Sequence, residues 1–239
     1  MSVYNIKGLA PLALVTLLSA CGGSDNDLDN DGVTDMPEPM PVEMSYEVTV
    51  TNLTYAQPLS PIAVVLHGDS ALWTVGETAS TELEKLAEGG DSADLIAMES
   101  ILASTSGEGA VGPGASTTLT VTTTDEMATH LSIVSMLVNT NDAFTGLTAM
   151  DLSSLAVDSP QTWTLGVYDA GTEANSELAG TIPGPADGGT GYDAERDDVD
   201  FVAKHSGVVT MDDGLSTSVL TQAHRFDNPA IKLTITRKQ

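Results

Sequence analysis

Cysteine is all but missing from this chain: Cys21 is the one thiol in 239 residues. A single cysteine cannot close an intrachain disulfide or supply a cysteine-based zinc site, so the fold must rest on its own packed core. Basic residues are scarce as well. Eight Lys and Arg stand against 34 Asp and Glu, a formal charge of −26. Such a charge repels phosphate, which argues against nucleic acid or an anionic lipid surface as partner of the folded part. Cations are the better match. Aromatic residues make up only 4%, and abundant Thr, Val and Gly lean toward strands rather than a helical bundle. Catalytic signatures are lacking too: there is no H-E-x-x-H, no P-loop and no G-x-G-x-x-G on a strand-to-helix turn. His67, His130, His205 and His224 are scattered without transition-metal spacing. The length suits one domain of ordinary size.

The amino-terminal region reads as an address label. Lys7 precedes an apolar run from Gly8 to Leu18 broken only by Pro11 and Thr16. That run is too short to cross a bilayer core of ~30 Å, which needs about 20 apolar residues, and it has the length of a signal-peptide core. It ends in Leu18-Ser19-Ala20-Cys21, which resembles a bacterial lipobox whose cysteine is acylated and becomes the first residue after cleavage. Residues 1–20 are therefore expected to be a lipoprotein signal peptide. Two acyl chains suffice for stable anchoring at ~0.8 kcal/mol per buried CH₂. The expected location is the bacterial cell envelope, with Gly22 after the cysteine permitting export to the outer membrane.

Residues 21–44 show no hydrophobic periodicity and are rich in Asp, Asn, Gly and Pro, as a flexible and then extended tether would be. Within them Asp27, Asp29, Asp31, Gly32, Asp35 and Glu38 fit the calcium-loop spacing D-x-D-x-D-G-x₅-E. No helix leads in, and Pro37 and Pro39 forbid a normal exiting helix, which argues against an EF-hand. Two readings stand for this segment, a solvated acidic spacer and a weak second calcium loop.

From residue 45 to 239 the pattern is that of an antiparallel β-sandwich with one or two short inserted helices. Tyr46, Val48 and Val50 alternate with Glu47, Thr49 and Thr51; Leu119 and Val121 alternate with threonines; Ile231, Leu233 and Ile235 alternate near the end. Trp163, Leu165 and Val167 supply another alternation. Ile62–Leu66 and Leu131–Val138 are more continuously apolar and suit buried central strands. Thr81 and Glu84 form a capping box for a helix that Gly89 and Gly90 stop. A second helix is expected to carry Leu95, Met98, Ile101 and Leu102 along one stripe. Asp193, Glu195, Asp197, Asp198 and Asp200 continue a Gly/Pro-rich loop that reads as a solvated surface or a supplementary cation site.

One stretch tempts an enzymatic reading. The strand Ile62–Leu66 runs into His67-Gly68-Asp69-Ser70, which resembles the nucleophile block of GDSL hydrolases. A nucleophilic serine needs a base within reach, and no histidine has Asp three residues earlier, as that family's Asp-x-x-His requires. No G-x-S-x-G occurs either. A secreted GDSL-like serine hydrolase centred on Ser70 is the alternative; no enzyme is the expectation, with His67 a loop or turn residue at the end of a strand.

An ordered set of segments resembles the spondin N-terminal domain found in F-spondin and mindin. These are Tyr46–Leu53, Gln57–Pro61, Gly76–Ser80, Leu86–Gly90, His130–Leu137, Asn139–Leu147 and, most specifically, Tyr168-Asp169-Ala170-Gly171-Thr172-Glu173 followed by Ile182-Pro183. The resemblance implies a C2-like β-sandwich that binds one calcium ion and catalyses nothing. Its metal ligands map onto Asp142, Asp169 and Glu173. Calcium takes about six to eight oxygen ligands, so carboxylates and loop carbonyls at strand ends suit it, and Gly171 lets the chain curl between two donors. Animal members carry an acidic residue and Trp where this chain has Asp142-Ala143, and Asp where it has Glu173. An adhesion or ligand-recognition role follows, toward an unidentified protein or glycan and not toward nucleic acid.

Overall fold

A computed structural model describes residues 40–195 and 198–239. The expected signal peptide, Cys21, the tether acids Asp27, Asp29, Asp31, Asp35 and Glu38, and Asp197 lie outside the described residues. No helix among the described residues is long and apolar enough to cross a membrane.

Two antiparallel sheets form the described body. One has four strands in the order β4-β1-β10-β7 and the other six in the order β3-β2-β5-β6-β8-β9. In the first, β1 (Met44–Asn52) lies between β4 (Ser116–Thr123) and β10 (Ile231–Arg237), and β10 also pairs with β7 (Gln161–Leu165). The alternation seen in the sequence is the consequence of one wet face: Tyr46, Val48, Val50, Leu233 and Ile235 point into the core, while Glu47, Thr49, Lys232 and Thr234 line the other side.

The second sheet is buried on both faces where its strands read as more continuously apolar. In β2 (Ala63–His67), Val64 and Leu66 join the core between the sheets, while Ala63 and Val65 pack beneath Leu83, Leu86, Ala87 and Leu95 from the helices. β5 (His130–Met136) divides likewise, Leu131 and Ile133 to one side and Val134 to the other. Helix α1 (Thr81–Gly89) covers that outer face. Its cap sits one residue earlier than the Thr81/Glu84 box implies: Ser80 Oγ accepts the Leu83 N–H at 3.2 Å. Gly90, at φ +69°, ends the helix with its N–H on the Leu86 carbonyl.

The expected second helix is mostly a strand. α2 spans only Ala93–Ile96, and Ile101–Ser106 forms β3 against β2. The stripe through Met98, Ile101 and Leu102 fails because β2 leaves an open edge whose hydrogen bonds β3 satisfies; across a register shift, Ile101 packs toward the helices and Ala103 toward the core between the sheets. β6 (Ala143–Asp151) was hidden in the sequence, since its first four residues are buried and show no alternation. The alternation Trp163, Leu165, Val167 belongs to two strands, not one. β7 ends at Leu165, the chain passes Gly166 to the other sheet, and β8 (Val167–Asp169) pairs with β6 and with β9 (Ala203–Lys204). Asn228 Oδ1 takes the Val167 N–H at 2.9 Å and leaves no room for a side chain at 166, where a Cβ would lie 2.5 Å from it.

His67 stands at a strand end, as expected, but within the strand and not in a loop or turn. It is the last residue of β2, 1% exposed, with Nδ1 2.8 Å from the Gly68 carbonyl and Nε2 2.7 Å from Ser132 Oγ. A carbonyl can only accept, so Nδ1 carries the proton and Nε2 receives the Ser132 hydroxyl. Ser132 Oγ in turn accepts the Ala149 N–H at 2.8 Å where the β5–β6 register shifts. Burial pushes the His67 ring below its ordinary value. The pair clamps a bulge.

Candidate metal centre

β5 and β6 are joined by a tight connection that ends in Asp142. Thr140 Oγ1 donates to the Leu137 carbonyl at 2.6 Å and accepts the Ala143 N–H at 3.1 Å, which folds the connection on itself. β8 pairs with β6 so that Asp169 lies opposite Ala143, one residue from Asp142. After Asp169 the chain turns through Gly171, at φ +71°. A Cβ there would meet the Phe201 carbonyl oxygen at 2.4 Å, so only glycine fits. The turn brings Thr172 and Glu173 back over Asp142, whose Oδ2 accepts the Thr172 N–H at 2.9 Å and the Glu173 N–H at 3.2 Å.

Asp142 is 0% exposed, and its Oδ1 has no hydrogen-bond partner among the described residues. Burial drives its carboxyl up to about 7; the Asp169 charge adds to the rise, and the Glu173 and Thr172 N–H groups oppose it. A buried carboxylate with an orphan oxygen and an acidic neighbour is short of positive charge. Glu173, also buried, accepts Asn141 Nδ2 on Oε1 at 2.8 Å. Asp169 is half-buried: Oδ1 accepts the Gly171 N–H at 2.8 Å and Oδ2 accepts Asn175 Nδ2 at 2.6 Å.

The structure thus brings Asp142, Asp169 and Glu173 to one end of the six-stranded sheet. They form neighbours and not a closed cage: among the described residues, no three Asp, Glu, His or Cys side chains are grouped tightly enough to hold a metal ion. Their donor chemistry still fits a hard cation, because all are oxygens, one is orphaned in the interior, and among the described residues no Lys or Arg forms an ion pair with Asp142 or Asp169. In the acidic loop, the Asp193 N–H donates to Glu88 Oε2 and the Glu195 N–H to Asp193 Oδ1, both at 3.1 Å.

Ser70 is exposed beyond the end of β2. Both ring nitrogens of His67 are engaged elsewhere, so this histidine offers Ser70 no base. Spacing gave no hint of Asn141, Asn175 or His205, which support the acidic cluster. Amides are not metal-motif residues, and these three meet only through tertiary contacts.

Fold and site together define a two-sheet β-sandwich carrying a buried acidic cluster in the loops at one end. The Spondin_N family model matches residues 53–180, more than half of the chain, and the chain belongs to the spondin N-terminal domain family. Membership supports a recognition or adhesion type of module, and the family is not a known enzyme family. No curated protein sequence matches the chain significantly.

Proposed function

We propose that this chain is a calcium-dependent recognition or adhesion module of the bacterial cell envelope, held to a membrane by acylation of Cys21 and without catalytic activity. The observation that carries the calcium reading is the orphaned, buried Oδ1 of Asp142 beside Asp169. Asp142, Asp169 and Glu173 would hold the ion, which supplies positive charge that the loops otherwise lack. Gly171 and the Thr172 and Glu173 N–H groups fold the turn over Asp142; an ion at this point would lock that turn to the β5–β6 connection. The ordered loops then present a surface to an unidentified protein or glycan. The tether acids from Asp27 to Glu38 would add a weaker second calcium loop.

Calcium at a hundredfold over its dissociation constant should stabilise the fold by ~2.7 kcal/mol. Thermal melts of the chain in detergent, with calcium and with chelator, are expected to show a rise in melting temperature that Asp142→Ala with Asp169→Ala abolishes. An unchanged wild-type melting curve would remove the site. The anchor has its own check. Cys21→Ser should move the protein from the membrane fraction to the soluble fraction, and a variant that still sediments with membranes would dismiss lipidation.

A further inference from the structure

Each of the two outer acids is gripped by an asparagine amide, and each amide is keyed from behind. Asp169 Oδ2 accepts Asn175 Nδ2 at 2.6 Å, Asn175 Oδ1 lies 3.0 Å from His205 Nε2, and His205 Nδ1 lies 2.9 Å from the Gly207 nitrogen. The direction of this relay follows from what each group can do. A main-chain N–H only donates, so His205 Nδ1 is an acceptor and the neutral ring carries its proton on Nε2. That proton can go only to the carbonyl oxygen of Asn175, which turns the NH₂ of Asn175 toward Asp169. His205 is 4% exposed and rests against Phe226, with ring centroids 5.2 Å apart, so the key does not rotate freely.

The second amide repeats the arrangement. Asn141 Nδ2 donates to Glu173 Oε1 at 2.8 Å and to Thr181 Oγ1 at 2.9 Å, while Asn141 Oδ1 accepts the Glu177 N–H at 3.2 Å. Glu177 is in the left-handed region, at φ +48°, and 1% exposed. Such a conformation is unfavourable for a non-glycine residue, and here it accompanies an N–H that fixes the Asn141 amide.

We propose that Asn175, keyed by His205, and Asn141, keyed by the Glu177 N–H, are positioning residues that keep Asp169 and Glu173 beside Asp142, so that a divalent cation has only to draw neighbouring carboxylates together. This rests on the calcium reading above. Asp142 and Asp169 repel, and the half-buried Asp169 would relieve the repulsion by swinging into water; the Asn175 amide holds it without neutralising it. A lysine or arginine there would compete with the ion, whereas a neutral amide does not.

Calcium titration calorimetry on the full chain in detergent tests the assignment, with melting in chelator as the second readout. Asn175 is exposed, so Asn175→Ala removes the grip without opening the core. Titrated well below the melt, it should weaken calcium binding about tenfold, in the range for loss of an outer-shell partner, while the chelator melting temperature falls by only a few degrees because the buried His205 Nε2–H loses its acceptor. His205→Gln keeps an N–H donor and should retain wild-type affinity. His205→Phe loses the donor and should match Asn175→Ala, and combining the two changes should weaken binding no further. Wild-type affinity in Asn175→Ala overturns the positioning role alone. A wild-type chain that takes up no calcium overturns the calcium reading and this inference together.

Discussion

In chelator at about pH 8, Asp142→Asn is expected to be more stable than the wild-type chain by about 2–4 kcal/mol. The substitution keeps the volume and an oxygen to receive the Thr172 and Glu173 N–H groups, and removes the buried charge. Unfolded, Asp142 titrates near the ordinary 3.8; folded, it titrates at about 7. Between those values the folded chain holds a proton that the unfolded chain has released, so the protonated state favours folding. That contribution is fully present below 3.8 and lost as pH rises through about 7. The gap between variant and wild type should therefore shrink on acidification and close near the lower value. His67, His205 and His224, all pushed down by burial, work in the opposite sense below their ordinary values, but both proteins carry them and they cancel in the comparison. Saturating calcium should reverse the order, because the ion rewards the charge that the variant lacks. Denaturant unfolding of both proteins across this pH range measures the effect. Equal stability at alkaline pH would mean that the Asp142 charge is already compensated.

Phe144→Ala should cost about 3–5 kcal/mol, a fall in melting temperature of roughly 10 °C. Phe144 is 0% exposed in β6, its ring 5.1 Å from Trp73 edge-on and 5.4 Å from Tyr168 in a stack. Lys204 Nζ closes the other end, 3.6 Å from the Tyr168 ring centroid. In a chain so poor in aromatic residues, three of them meet here: Phe144 on the strand that starts beside Asp142, Tyr168 on the strand that ends in Asp169, and Trp73 from the segment between β2 and α1. Truncation leaves a cavity that the flanking β-ladder cannot collapse into. Tyr55→Ala, at a site 81% exposed, serves as the control and should change stability by less than about 0.5 kcal/mol. A loss at Phe144 no larger than at Tyr55 would deny the cluster its role in supporting the site.

The two predictions connect through β6, the strand that sequence reading did not find. Alternation is legible only where one face is wet. Tyr46 to Val50, Leu119 to Val121 and Ile231 to Ile235 show it because their sheet has a solvent side. The opening residues of β6 lie between a core and a helical cover, and their pattern vanishes with the contrast that would have produced it. The segment through Ile101 failed for a different reason. Its apolar spacing suits a helix and a strand equally over so short a run, and the open edge of β2 decided between them.

Of the candidate site, the acids themselves were visible and their condition was not. Asp142, Asp169 and Glu173 were singled out by the resemblance to the spondin N-terminal domain, with which the turn around Gly171 and the place of Asp142 after an apolar strand are consistent. Nothing local says that Asp142 is sealed from water with one oxygen unused, because the groups that seal it come from residues 30 or so positions along the chain. Charge balance, the alternating strands, the helix-stopping glycines and the family were decided by the amino-acid order alone, since each depends on neighbours a few residues apart or on composition. Strand pairing across Gly166, the burial of the carboxylates and the orientation of the Asn141 and Asn175 amides were decided by tertiary structure, since desolvation and hydrogen-bond direction depend on which distant segments fold against a group.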